Sequence, residues 1–380
     1  MFDRKKMNEK CEKVVNEPLT ALSEYLQESI RDKLKKESLD MEKVNIGLIG
    51  VGRIGRLHAL NIKYQVPGNR LLAVADIFEK SVREIASQLE IPIAEKDYRV
   101  LLGNKDIDAV VICSSTDTHA QIITEAAQAG KHIFCEKPIA LDMNEIDRAL
   151  EAVKIAGVKL QIGFNRRFDP SFRKAKKMVQ SGKIGIPHLV RITSRDPAPP
   201  PMEYIKVCGG IFLDMMIHDF DMTRYLLDEE VKELIAVGNC LINPDIGKQN
   251  DIDTAIVTFQ YRNGAWGTID NSRQAVYGYD QRIEIFGSEG CIQVGNKKPT
   301  EVFLSGAEDT RSDKPVYFFL ERYNESYIDE MKHFIHCIKE DKEPAVTGFD
   351  GKMAVVIGYA AKESLLKREF VRVVGHSSDC

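Results

Sequence analysis

The sequence has no uninterrupted apolar run of about 18 residues, so it offers no candidate for a membrane-crossing helix. No charged segment followed by a short apolar core opens it, which argues against secretion. It also lacks an excess of positive charge: 53 Lys and Arg stand against 57 Asp and Glu, a formal net charge of −4. Nucleic acid is therefore not expected as the main partner. The eight cysteines include no C-x-x-C pair, and none sits beside a histidine at zinc-knuckle spacing. No metal site and no disulfide framework are expected, only reduced thiols in a soluble cytoplasmic protein. Internal repeats and low-complexity segments are missing too. What remains is 43% hydrophobic and 29% charged residues in 380, a globular balance with length for two domains.

Residues 1–43 stand apart, with ten acidic and ten basic side chains. Leu19, Leu22, Leu26, Ile30 and Leu34 recur at helical steps, which predicts an amphipathic extension: a packing or oligomer helix, or a stretch upstream of a start at Met41. From Val44 the pattern alternates. Apolar strand-like runs at Val44–Ile49, Arg70–Ala75, Ala109–Cys113, His132–Cys135 and Lys159–Gly163 are separated by helical stretches. Near-continuous apolar strands between helices imply a parallel sheet buried on both faces. The expected fold is α/β, with a doubly wound domain at 44–164. Beyond it, strand-like runs follow one another, and Asn263-Gly264 signals a hairpin. A second, α+β domain at 165–345 with a large, mostly antiparallel sheet is expected, flanked by a helix at about Gly210–Leu227. A final helix N-capped by Asp350 and a tail fill 346–380.

Gly50-Val51-Gly52-Arg53-Ile54-Gly55 follows the first strand and opens a helix. Gly50 suits a tight turn, Gly52 a close approach of a pyrophosphate, and Gly55 close packing of helix on strand; the helix N-terminus supplies donors. Asp76, 21 residues after Gly55, ends the second strand, where a carboxylate binds ribose hydroxyls and repels a 2′-phosphate. The combination points to NAD.

Three further segments carry polar groups. Glu136-Lys137-Pro138 follows a strand at the end where open sheets bind ligands. Asp214, His218 and Asp221 recur at steps of four and three, one face of a helix. Such a row could be solvated, bind a metal or hold an acid–base group; a metal would need further ligands, whereas alcohol oxidation needs one base near neutral pH, which histidine supplies. Asn165-Arg166-Arg167 sits at the passage between domains, where it could hydrogen-bond a polyhydroxylated ring or pair with an acidic neighbour.

Together these residues resemble the glucose–fructose oxidoreductase / inositol dehydrogenase / rhizopine-catabolism family, over about residues 44–370. Matching motifs are Gly50–Gly55, Asp76, Ser115-Thr116-Asp117-Thr118-His119, Gly130-Lys131-His132, Glu136-Lys137-Pro138 and Asp214 to His218. The resemblance implies a Rossmann domain holding NAD, with Gly50, Gly52, Arg53, Ile54, Gly55, Asp76, Ser114, Thr116, His119, Glu136 and Lys137 at the cofactor. It implies a cis Lys137-Pro138 peptide and a homo-oligomer, dimer or tetramer, associating through the open sheet. Gly163–Asp169, Thr193–Pro197, Gly209–Asp214, Asp270–Gln274 and Tyr277–Asp280 resemble the inositol 2-dehydrogenase branch. That branch implies oxidation of myo-inositol at carbon 2 by Lys137, Asp214 and His218. Asn165, Arg166 and Tyr277 would line the pocket, with strand register deciding between Tyr277 and Tyr279. Other cyclitols or an aldose remain alternative substrates, and a non-catalytic, NAD-sensing regulator built on the same fold is the alternative of another class.

Overall fold

The computed structural model describes residues 43–375. The expectations for the amphipathic extension and the start at Met41 fall on residues outside these.

Strands and helices alternate through β1 (Val44–Ile49), α1 (Arg53–Tyr64), β2 (Asn69–Ala75), α2 (Glu79–Leu89), β3 (Ile93–Glu95), α3 (Tyr98–Gly103), β4 (Ala109–Ile112), α4 (Thr116–Gln128), β5 (His132–Cys135), α5 (Met143–Ala156) and β6 (Leu160–Ile162). The six strands are parallel, in the order β3-β2-β1-β4-β5-β6. The order reverses beside β1, which opens a crevice at the strands' C-terminal ends. All four residues of β4 are buried, as expected of a strand covered on both faces. Each such isoleucine or valine contributes about 1.5–3 kcal/mol.

A 3₁₀ turn at Asn165–Phe168 leads into α6 (Pro170–Gln180), β7 (Pro187–Arg195), α7 (Met202–Ile205), α8 (Ile211–Asp214), α9 (Ile217–Leu227), β8 (Val231–Asn239), α10 (Pro244–Gly247), β9 (Thr254–Tyr261), β10 (Trp266–Ser272), β11 (Asp280–Gly287) and β12 (Gly290–Val294). The hairpin β13 (Phe303–Ser305) and β14 (Thr310–Ser312) precedes α11 (Phe319–Lys339), α12 (Gly348–Lys367) and β15 (Val371–Arg372). The second sheet runs β12-β11-β7-β10-β9-β8-β15. It is antiparallel except where β7 and β10 pair in parallel. Burial alternates along β9 and β10: one face packs on helices, and the other carries exposed Leu189, Val237, Ile256, Trp266 and Phe286. Gly264 turns the β9–β10 hairpin with φ of 93°, as Asn263-Gly264 predicts.

Two sequence expectations are corrected. The helix at Gly210–Leu227 is interrupted at Met215 and Met216, between α8 and α9. The N-cap of α12 is Thr347, whose hydroxyl and backbone form a reciprocal pair of bonds with Asp350 one turn on; Asp350 is the other half of that capping box. Among the described residues no helix is long and apolar enough to cross a membrane.

Candidate active site

The glycine turn after β1 behaves as three different constraints. Gly50 has φ of 92°, and a Cβ there would lie 2.6 Å from the backbone of Cys113 and Ser114. A Cβ on Gly55 would lie 1.9 Å from the Gly50 carbonyl oxygen. Gly52 is different: a Cβ would meet nothing within 4 Å, so its bareness serves whatever approaches from outside. Gly52 also caps α1 without a side-chain bond, leaving first-turn N–H groups free for an anion. Asp76 accepts from Val51 N–H at 2.7 Å and Phe78 N–H at 3.0 Å, which anchors the carboxylate beside the turn. Arg53 is exposed and stacks over Phe318 and Phe319, 5.7 and 5.5 Å from the ring centres; Ile54 is half-buried. Open space at Gly52, free helix donors and Asp76 together fit a dinucleotide.

Ser114 and Thr116 flank the N-terminus of α4, and the Ser114 hydroxyl bonds Thr118 Oγ1 at 2.7 Å. His119 is buried, with Nδ1 2.8 Å from the Pro138 carbonyl and Nε2 3.1 Å from that of Ser114. It ties the Ser114 loop to the Lys137-Pro138 peptide, which is cis.

Lys137, Asp214 and His218 come together at the end of β5. Lys137 Nζ donates to the Asp214 carbonyl at 3.0 Å and lies 3.7 Å from Asp214 Oδ1. Asp214 Oδ1 accepts from the Tyr204 hydroxyl at 2.7 Å, and Oδ2 from Arg273 Nη1 at 3.3 Å. Arg273 is 1% exposed and also faces Asp251 at 3.7 Å. Asp251 in turn accepts from Ile211 N–H at 2.9 Å, fixing the start of α8. That start needs Gly210, with φ of 86°, because a Cβ would sit 2.8 Å from Asp251 Oδ1.

His218 stands edge-on to Phe164 at 5.9 Å, and its buried Nδ1 meets no protein partner. Burial, then the charges of Lys137 and Arg166, push its pKa well below the ordinary histidine value. The imidazole is neutral and free to take a proton. Asp221 does not share its face: it is buried in an ion pair with Arg167 at 2.6 Å. The regular row expected for Asp214, His218 and Asp221 is thus divided between a site and a core pair.

Asn165 and Arg166 are buried on the 3₁₀ turn. Arg166 donates to Asp219 at 2.6 Å and to Ser194 Oγ at 3.3 Å. Tyr277 donates to Asp280 at 2.6 Å and accepts from Arg195 at 3.2 Å while 37% exposed. Tyr279 is buried in the core, edge-on to Tyr323 at 6.0 Å. Burial, then the neighbouring Asp214, raise the pKa of Asp196 to about 6 against the pull of Arg273 and Arg166. Sequence reasoning missed Asp196, Tyr204 and Arg273 as site residues; the resemblance of the strings at 193–197 and 270–274 was the available signal.

Residues 44–164 match the oxidoreductase family with an NAD-binding Rossmann fold, and residues 172–293 match the GFO/IDH/MocA C-terminal domain. The chain is 51% identical over 330 residues to the myo-inositol 2-dehydrogenase of Thermotoga maritima, covering 87% of this chain and 98% of that protein. It is 43% identical to the inositol 2-dehydrogenase of Rhizobium meliloti, covering 87% and 99%. Among solved structures, the scyllo-inositol dehydrogenase of Lactobacillus casei with bound NAD(H) and scyllo-inositol superposes with a TM-score of 0.82 at 30% identity, covering 88% of this chain and all of that one. With these likenesses running through both domains, the chain belongs to the oxidoreductase family that joins an NAD-binding Rossmann fold to a GFO/IDH/MocA C-terminal domain.

Proposed function

We propose that this protein oxidises myo-inositol at carbon 2 to 2-keto-myo-inositol (scyllo-inosose). The observation that carries the reading is a neutral, half-buried His218 beside a lysine whose ammonium is held at Asp214. NAD, when bound, supplies the hydride acceptor; Gly50, Gly52, Gly55, Asp76 and the Ser114–Thr116 loop would hold it. His218 takes the hydroxyl proton as the C–H bond gives up its hydride, so the alcohol carbon becomes a carbonyl. Lys137 donates to the same oxygen and shares its developing charge, while Asp214 orients Lys137. Asn165, Arg166 and Tyr277, with Asp196 and Arg273, offer donors and acceptors for the other ring hydroxyls. That supply suits an inositol, in which every ring carbon carries a hydroxyl.

The domain limits that go with this reading are 44–164 for cofactor, 165–345 for substrate and association, and 346–380 for the closing helix and tail. The enzyme would work in the cytoplasm as a dimer or tetramer, its copies covering the exposed apolar residues of the second sheet; six free cysteines among the described residues suit a reducing compartment.

A polyol panel read by NADH absorbance tests the assignment. Myo-inositol should give the highest kcat/KM, with NAD strongly preferred to NADP. Indifference to every inositol would overturn it.

A further inference from the structure

Polar groups to which the catalytic steps above give no role gather one residue before Lys137. Glu136 leaves β5 with Oε1 2.8 Å from His58 Nε2. Its Oε2 lies against Gly163, where an added Cβ would approach to 3.0 Å, so the glycine makes room for the carboxylate. His58, on α1, is fully buried, its ring edge-on to Phe134 at 5.2 Å and Tyr327 at 5.7 Å. Glu330, on α11, brings Oε1 to 4.0 Å from the same imidazole nitrogen. Glu330 is 0% exposed, and neither of its carboxyl oxygens meets a protein donor. Its helix is tied to β6 by Gln161 Nε2, which donates to the Glu330 carbonyl at 2.8 Å.

Two carboxyl groups cannot both ionise easily around one buried imidazole. Burial, then the charge of Glu136, push Glu330 well above the usual carboxylate range, so it stands as the neutral acid. His58 donates Nε2–H to Glu136 and is confined between aromatic rings and that acid. We propose that His58 and Glu330 are positioning residues: His58 holds the Glu136 carboxylate, Glu330 backs the imidazole from 4.0 Å, and the start of the Lys137-Pro138 segment is thereby kept where Lys137 can reach Asp214. Neither touches the reacting atoms. The inference rests on the dehydrogenase reading above.

His58→Phe in the full chain keeps a ring between Phe134 and Tyr327 and removes the N–H. It should lower kcat about 10- to 100-fold, with KM for the polyol within about threefold and the melting temperature near that of the parent. Glu330→Gln, the isostere of the neutral acid, should keep at least about a third of kcat, while Glu330→Leu falls with His58→Phe. Should His58→Phe fold poorly, His58→Gln, which still offers an N–H, should exceed His58→Leu in kcat. Full kcat in folded His58→Phe, or equal losses in Glu330→Gln and Glu330→Leu, would overturn the proposal. A stoichiometric divalent metal lost together with activity on chelation would overturn it too, since Glu136 would then be a ligand. Histidine ¹⁵N spectra separate this claim from the substrate assignment. The His58 Nε2 signal should shift in Glu136→Gln whether or not any polyol is oxidised, and an unmoved signal would sink the positioning role alone.

Discussion

Lys137 Nζ is bonded to the backbone carbonyl of Asp214, at 3.0 Å, and not directly to its carboxylate, which stands 3.7 Å away. The carboxylate is held instead by Tyr204 and Arg273. Asp214 is thus a junction, placing the lysine with its main chain and setting the local charge with its side chain. Asp214→Asn should retain the main-chain contact and lower kcat about 10- to 100-fold. Lys137→Met, which deletes the donor to the reacting oxygen, should cost about 1,000-fold or more. Steady-state NADH formation at saturating polyol ranks the two, and a reversed order would disprove the junction.

His218 should define the acid limb of kcat. Burial, then Lys137 and Arg166, depress its pKa, and a base works only when unprotonated. Activity should therefore persist below the ordinary histidine value of about 6.5 and fail only at lower pH. In the residual activity of Lys137→Gln the limb should move upward, because one opposing cation is gone. His218→Ala should lose about two to four powers of ten in turnover with NAD affinity nearly intact; full turnover in that variant would remove histidine from the reaction.

The glycine turn allows a pair of contrasting substitutions. Gly52→Ala meets no protein atom within 4 Å and has ordinary φ of −65°. It should fold normally and raise KM for NAD about tenfold or more by crowding the pyrophosphate. Gly55→Ala would place its Cβ 1.9 Å from the Gly50 carbonyl oxygen, so it should lower the melting temperature before any kinetic effect is measured. Thermal melts with and without NAD distinguish the two; equal melting losses would contradict the open space at Gly52.

Asp350 supplies a pH-dependent part of the stability. Burial alone would raise its pKa, but Arg167, Arg224 and the Thr347 N–H together hold it at about 2. The unfolded value is about 3.9, so the folded state favours the ionised form. The stabilisation is complete above the unfolded value and fades as pH falls toward 2. It amounts to about 2 kcal/mol. Asp350→Asn should thus be less stable than the parent at pH 7 and approach it near pH 2, as urea midpoints at the two pH values would show.

The nucleotide half was legible because its signals are local. An apolar strand, three glycines in six residues and an aspartate after the next strand all lie within one stretch of chain. The step from Asp214 to His218 was local too, whereas Lys137, 77 residues before Asp214, joined it only through the family resemblance; the shape of the helix was not legible. A step of four from Asp214 to His218 suits an unbroken helix and equally the interrupted one, whose break at Met215 and Met216 leaves no periodic trace. Asp221 was misplaced on the shared face because its partner, Arg167, lies 54 residues away. Periodicity did not single out Arg273 or Tyr204 either: each is defined by its contact with Asp214, 59 and 10 residues away, and only the resemblance of the string at 270–274 pointed toward Arg273. The parallel pairing of β7 with β10 escaped in the same way, since alternation along a strand reveals its faces but not its neighbours.

The long helix α11 leaves the second domain and seats Met331, Phe334 and Ile335 among β1, α1 and α2 of the first. The nucleotide-binding half therefore completes its own core with side chains encoded after the whole substrate half. Cutting the chain at residue 164 would strip that face and leave an apolar surface prone to aggregation. A ribosome must likewise finish nearly the entire protein before the cofactor domain can close, so the two halves mature as one body and are not interchangeable cassettes.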